Sequence, residues 1–413
     1  MDNLVFEPFP DSKLLGAISA LGGIKDAVII IHGKSCCHSD NLLFTLMTGS
    51  QDDVRVLGSG IRSQDVLTGG YRKLSIAIKS AYEQFHPKII AILTTSFTTM
   101  MADDVEGIIE SLKYEIPCEI WCFQCAGHIG DLATGYSEVL DNIVSYMEYD
   151  NSHVKSEKTI NILGIKYYDP CSVWDMEEIK RILFYQGIKI NSFITASSFN
   201  KIKSAPQASI NIVLSDDALS CAFRMKEKFN IPYLRTPYPF GIKGSINFLE
   251  NINSFFNIDI NQIFIQKEKN TIKERLQRIY RYLHGIYGIP VAVIGNQDKA
   301  VPLSDFLTNE LGLEVKLLFI KDKDLKKTNI DVDEIIFSRD QFYLEKVLMA
   351  KSKDIAIVFG STIEKKICKK LGIPLIKIFF PVLDEIFITN TPYAGFNGVI
   401  TIIERIINSI TGV

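Results

Sequence analysis

The stretch Ala27-Val28-Ile29-Ile30-Ile31-His32-Gly33-Lys34-Ser35-Cys36-Cys37-His38 carries the fold in miniature. Residues 27–31 form a short, continuous, mostly β-branched run, and a glycine-containing polar turn follows directly. A strand with one wet face alternates apolar and polar residues, whereas an unbroken Ile/Val run belongs to a strand covered on both faces. Runs of the same kind recur at 89–94, 119–123, 160–165, 192–196, 210–214, 291–294, 315–320, 334–337, 355–359 and 375–379. Between them lie amphipathic stretches such as 66–85, 176–186 and 217–229. Strands alternating with helices imply βαβ units, and hence Rossmann-like α/β domains in which parallel sheets are flanked by helices.

At roughly 150 residues per domain, 413 residues suggest two or three domains. Two polar joints, 148–158 and Gln266–Thr271, place cuts near residues 155 and 268. The expected segments are 1–154, 155–267 and 268–413, with a long helix over 272–287 opening the third. A net charge of -3 leaves no basic surface for nucleic acid. The Lys-rich 321–327 reads as a solvated loop. No apolar run is long enough to span a bilayer and no signal peptide opens the chain, so a cytoplasmic protein is expected. There the eight cysteines are thiols or metal ligands rather than disulfides. No GxxxxGK[ST] loop is present, so this chain is expected to bind no nucleotide itself.

In open parallel sheets ligands bind beyond the carboxyl ends of the strands. The loops after the first three apolar runs carry Cys36, Cys37 and His38, then Ser96, then Cys125 and His128. They are expected to converge on one edge of the first sheet. Thiols and imidazoles gathered at an edge suit a soft metal or an iron–sulfur centre; the same residues could equally be small core side chains, since free cysteine packs as a hydrophobe. Cys118, Cys122 and Cys125 form a CxxxCxxC string, but the first two lie on or beside an apolar strand and should enter the core. Cys171, Cys221 and Cys368 stand alone.

Read together, these loops resemble those of the nitrogenase component 1 family. That family includes the nitrogenase subunits, the scaffold pair that assembles the nitrogenase cofactor, and related two-component reductases. Ser12-Lys13-Leu14-Leu15-Gly16-Ala17 with Ala20-Leu21-Gly22-Gly23 is similar to the CxPLGAxxALxG opening of β-type subunits. His32-Gly33-Lys34-Ser35-Cys36-Cys37 resembles HGSxGC, and Thr94-Thr95-Ser96 through Asp103-Asp104 resembles TTCxxExIGDD. Gly69-Gly70, Pro237-Tyr238-Pro239-Phe240-Gly241, Gly360-Ser361-Thr362 and Tyr393-Ala394-Gly395-Phe396-Asn397-Gly398 extend the likeness along the chain.

The resemblance implies three α/β domains and a β-type subunit of an iron–sulfur reductase. Such a subunit would receive low-potential electrons from an ATP-dependent iron–sulfur reductase. Its partner would be an α-type homologue or a second copy of itself, with the cluster shared across the interface. It also implies that Cys37 is the retained metal ligand, while Ser12 and Ser96 stand where the pattern has cysteine. Lys34 replaces a proline and Cys36 a glycine. Cys36 or Cys125 could then supply a missing ligand. The loop 381–384 has no histidine, unlike a catalytic α subunit. A rival reading on the same fold is a non-catalytic cofactor-assembly or binding subunit with a degraded cluster site.

Overall fold

A computed structural model describes residues 12–47, 55–127, 129–149, 158–322 and 332–411. His128, residues 150–157 of the first joint and 323–327 of the Lys-rich stretch lie outside the described residues. The architecture is α/β, with three open parallel sheets flanked by helices. The first sheet, in the order β2-β1-β3-β4, is built from Ala27–His32 (β1), Arg55–Gly58 (β2), Ile89–Thr94 (β3) and Glu119–Phe123 (β4). The second, in the order β6-β5-β7-β8, uses Thr159–Leu163 (β5), Lys189–Phe193 (β6), Ile210–Val213 (β7) and Tyr233–Arg235 (β8). The third, β11-β10-β9-β12-β13, uses Pro290–Gly295 (β9), Glu314–Ile320 (β10), Ile335–Phe337 (β11), Ile357–Gly360 (β12) and Leu375–Lys377 (β13).

The chain forms two compact units. One runs through residue 168 and takes in 190–234; the other holds 169–189 and everything from 235 on. In the first unit β1 and β3 are buried along their whole length. They pair in register from Ala27–Ile89 to His32–Thr94. The helix Tyr71–Phe85 and the helix Val105–Leu112 cover one face through Leu74, Ile78, Ala81, Ile108 and Leu112. Each of the Leu and Ile side chains contributes about 1.5–3 kcal/mol by leaving water. Against the strands lies α1 (Lys13–Leu21), which crosses the helix Leu132–Ile143 closely. A Cβ on Gly16 would sit 2.0 Å from the Leu132 carbonyl oxygen, and one on Gly135 2.0 Å from that of Lys13. Only glycine permits that approach.

In the second unit the helix Ser172–Phe184 is tied to the amino end of the helix Gly395–Thr411 by two buried carboxylates. Asp175 accepts the amides of Tyr393 (2.6 Å) and Ala394 (2.8 Å) and the Tyr238 hydroxyl. Glu178 accepts from the Asn397 amide and side chain. Arg181 bridges Glu178 to Glu268. The Tyr238 and Tyr393–Gly398 motifs are thus held by one helix, and burial raises the Asp175 carboxyl to a pKa of about 6.

Several local expectations are corrected. The joint Gln266–Thr271 is the middle of the helix Gln262–Gln277, and the expected long helix over 272–287 is instead the end of that helix followed by the short helix Tyr280–Leu283. The Asn261 side chain caps Gln262–Gln277 by accepting from the Phe264 amide, and Phe264, Ile265 and Ile272 are its buried residues. The polar run is its outer face. The strand expected at 192–196 lies at 189–193, on a sheet edge where a polar sequence is tolerated. The apolar run marks the loop beyond it, where the Thr195 hydroxyl donates to the Ile165 carbonyl. Arg55–Gly58 and Tyr233–Arg235 are short strands without a strong apolar run. The stretch 66–85 is broken at Gly69, whose φ of 78° ends the short helix Asp65–Thr68.

Candidate functional site

In the first sheet the chain leaves β1 for β2 on one side and then crosses back to β3 on the other. The strand order therefore reverses between β1 and β3, the switch point beyond which open α/β sheets bind ligands. The Cys37 and Ser96 loops leave from those two strands. The loops are joined to each other at their roots. The hydroxyls of Thr95 and Thr98 each donate to the His32 carbonyl at 3.1 Å. A Cβ on Gly33 would meet the Thr95 hydroxyl at 2.6 Å, and the Lys34 ammonium lies 4.3 Å from the centre of the Phe97 ring. Protein groups thus occupy the roots of the crevice, and chemistry is left to its rim.

His32 organises that root. Its Nδ1 lies 2.9 Å from the Ser59 hydroxyl, which also accepts the Gly33 amide. Its Nε2 stands 3.3 Å from Asp103, and Asp103 accepts the Gly70 amide at 2.8 Å. Burial holds the imidazole below its ordinary pKa, against the pull of the Asp103 carboxylate. His32 locks four chain segments into one edge. Sequence reasoning passed over this network. Its one visible signal is a polar histidine closing an otherwise apolar strand.

The residues singled out from sequence fall into distinct places. Cys36 is exposed and Cys37 half-buried in the first turn of the helix Ser35–Met47, hereafter α2. Burial, then the neighbouring Cys36 and Asp40, push the Cys37 thiol up. His38 turns away, its Nε2 2.9 Å from the Val56 carbonyl. The Ser96 hydroxyl accepts the Gly127 amide at 2.7 Å, and the Ser12 hydroxyl caps α1 by accepting the Leu15 amide at 3.2 Å. The Cys125 amide meets the Thr94 hydroxyl at 3.3 Å, so the third loop does join the other two. Its thiol, however, is only 2% exposed and is pushed up to about 12 by burial, within the fields of Lys13 and Glu138. Cys118 and Cys122, expected in the core, are only half-buried against the cluster beside the helices Tyr71–Phe85 and Val105–Leu112, and Cys118 lies just before β4 rather than on it. Cys171, Cys221 and Cys368 are buried.

A four-iron cluster needs four soft donors. Of Ser12, Cys37 and Ser96, the positions that the motif resemblance likens to cluster ligands, only Cys37 offers sulfur, and the oxygens of Ser12 and Ser96 already satisfy backbone amides. Among the described residues no three His, Cys, Asp or Glu side chains are grouped to hold a metal. The donor set of this chain taken alone does not fit such a cluster; what fits is a partial contribution from the α2 turn.

Residues 12–411 match the family described as Nitrogenase component 1 type Oxidoreductase. The chain is 24% identical to the nitrogenase molybdenum-iron protein beta chain of Methanococcus maripaludis, over 98% of this chain and 94% of that one. It is 26% identical to the nitrogenase iron-molybdenum cofactor biosynthesis protein NifE of Clostridium pasteurianum, over 87% of this chain and 79% of that protein. Among solved structures, nitrogenase Cp1 at pH 6.5 superposes with a TM-score of 0.82 at 19% identity, covering 100% of this chain and 94% of that one. Among the described residues no helix is long and apolar enough to cross a membrane. The chain belongs to the nitrogenase component 1 type oxidoreductase family.

Proposed function

We propose that this chain is a β-type subunit of a nitrogenase-like two-component reductase in the cytoplasm. It pairs, through the edge bearing Cys37, with an α-type homologue or a second copy of itself, and the pair takes electrons from an ATP-dependent iron–sulfur reductase. The observation that carries the reading is the placement of Cys36 and Cys37 on an accessible helix turn at the switch point of the first sheet. A thiol buried like Cys125 could not reach a partner; this turn can. The pairing requirement follows from the donor count, because the remaining ligands of any iron–sulfur centre here must come from across an interface. The likeness to a molybdenum-iron protein beta chain over nearly its whole length supports the same reading. In this reading the segments 1–154, 155–267 and 268–413 correspond to three α/β domains.

A second reading, a cofactor-assembly or binding subunit, is favoured by a specific observation. Ser12 and Ser96 are employed as structural acceptors, which is how a relaxed ligand site would settle. The similarity to a cofactor biosynthesis protein agrees with it. Iron per chain after anaerobic co-purification with the partner separates the two. In the reductase reading Cys37→Ala lowers iron sharply, whereas Cys118→Ala leaves it unchanged. Equal iron in wild type and Cys37→Ala would favour the assembly reading.

A further inference from the structure

The His32 imidazole at the end of β1 is wholly buried, and its two nitrogens face different chemistry. Nδ1 lies 2.9 Å from the Ser59 hydroxyl, and Nε2 lies 3.3 Å from Oδ2 of Asp103. A carboxylate oxygen only accepts, so the neutral ring carries its proton on Nε2 and takes the Ser59 hydrogen at Nδ1. The contact with Asp103 is nonetheless weak. Among the described residues neither Nε2 nor Oδ2 has a partner in hydrogen-bonding geometry, and the other oxygen of Asp103 is committed to the Gly70 amide. The Gly70 turn closes over the ring, since a Cβ there would stand 2.9 Å from its Cε1.

A second proton would have to enter at Nδ1. There it meets Ser59, whose own hydrogen must then turn to the Gly33 carbonyl, 3.5 Å away. The same hydroxyl accepts the Gly33 amide, and the Gly33 carbonyl already takes the Ile61 amide at 2.9 Å. Charging the ring therefore disturbs the joint from which residues 34–37 depart. A buried cation is tolerated where it is both paired and hydrogen-bonded. One carboxylate at 3.3 Å, outside hydrogen-bonding geometry, returns only part of the lost hydration. Burial accordingly lowers the imidazole pKa, with Asp103 pulling the other way. Asp103 is the one charged group that faces the ring among the described residues; Ser59, Gly70, Thr95 and Thr98, from the other elements packed against His32, are uncharged.

We propose that His32 is a proton-operated release for the loop that carries Cys37: when the ring takes up a proton, the joint among Gly33, Ser59, Gly70 and Asp103 opens to hydrate it. At neutral pH the joint is shut and Cys37 is held at the sheet edge; in acid the loop is freed. An opened, hydrated imidazole titrates near its ordinary value of about 6.5, whereas the closed one needs a lower pH. Opening is thus favoured as pH falls through that interval, by up to about tenfold per unit. The inference concerns this chain alone and does not depend on the function proposed above.

Amide hydrogen exchange on the full chain, corrected for the intrinsic pH dependence of exchange, tests it. Between about pH 7 and about pH 5 the protection of the Gly33, Ile61 and Gly70 amides should fall at least about tenfold, while amides of β5 and β7 keep theirs. His32→Gln retains a donor and an acceptor but cannot titrate, so its protection should stay constant. Asp103→Asn removes the opposing charge, and the fall should run on to lower pH. Selective nitrogen-15 labelling of histidine gives a reading that needs no variant. His32 should be the Nε2–H tautomer in mild alkali and gain its proton in step with the loss of protection. Protection that is flat with pH, an equal fall in His32→Gln, or a ring that stays neutral while the three amides lose protection would each overturn the inference.

Discussion

The Ser96 hydroxyl and the Gly127 amide stand 2.7 Å apart, so the loop after β3 holds the loop after β4 through a side-chain oxygen. Ser12 does the same for α1. A side chain spent on a backbone amide has a structural task that does not require metal.

Ser96→Ala and Ser12→Ala should each destabilise the chain by about 1 kcal/mol, from a lost acceptor and a lost helix cap respectively. Urea denaturation reads that cost. Iron per chain in the co-purified complex should not change, and a fall in either variant would make the serine a ligand.

The crossing of α1 with the helix Leu132–Ile143 should be intolerant of a single methyl group. Gly16→Ala or Gly135→Ala places carbon 2.0 Å from a carbonyl oxygen, closer than any relaxation of a side chain can cure. Roughly 3 kcal/mol or more of stability should be lost, at the upper end for overpacking because backbone must move. Calorimetry showing an unchanged melting temperature would refute the close approach.

Asp175 gives a pH signature. Burial raises its folded pKa from 3.8 to about 6. Between those values the folded chain holds a proton that the unfolded chain has released, so stability from this group falls as pH rises. The contribution is bounded by roughly 3 kcal/mol, from about 1.36 kcal/mol per unit. In Asp175→Asn the difference from wild type should change across pH 4–6 and level off above it. A difference that is flat through that window would show that Asp175 titrates normally.

The edge carrying Cys37 also presents apolar groups: Leu67 is 92% exposed and Met100 84%. Leu67 lies in the short helix Asp65–Thr68 between β2 and the helix Tyr71–Phe85, and Met100 ends the short helix Ser96–Met100 that follows β3. If this edge pairs with another subunit, Leu67→Asp or Met100→Asp should shift the complex towards monomer in light scattering without altering the melting of the isolated chain. A complex of unchanged mass and affinity would move the interface elsewhere.

Much of the architecture was legible because short Ile/Val runs bounded by turn residues and alternating with longer amphipathic stretches mark strands covered on both faces. The Ile/Val runs at 27–31 and 89–94 predicted β1 and β3, and the loops after them held the candidate ligands. The edge strand β6 was misplaced by three residues, since an edge tolerates Lys189 and Asn191 while the apolar Ile194 belongs to a buried loop. Gln266–Thr271 looked like a joint because a helix with one buried stripe is polar over most of its circumference.

Local sequence determined the element types, the order of the motifs and the residues at each strand end, because hydrophobic period and glycine placement act over a few residues. It also determined that sulfur stands at Cys37 and oxygen at Ser12 and Ser96. Only tertiary structure decided that β1 and β3 are neighbours at a switch point and that His32, Ser59, Gly70 and Asp103 lock their loops. It alone separated Cys36 and Cys37 at the rim from Cys125 in the core. All three are small soft thiols in post-strand loops, and what distinguishes them is burial, which depends on what the rest of the chain packs above them.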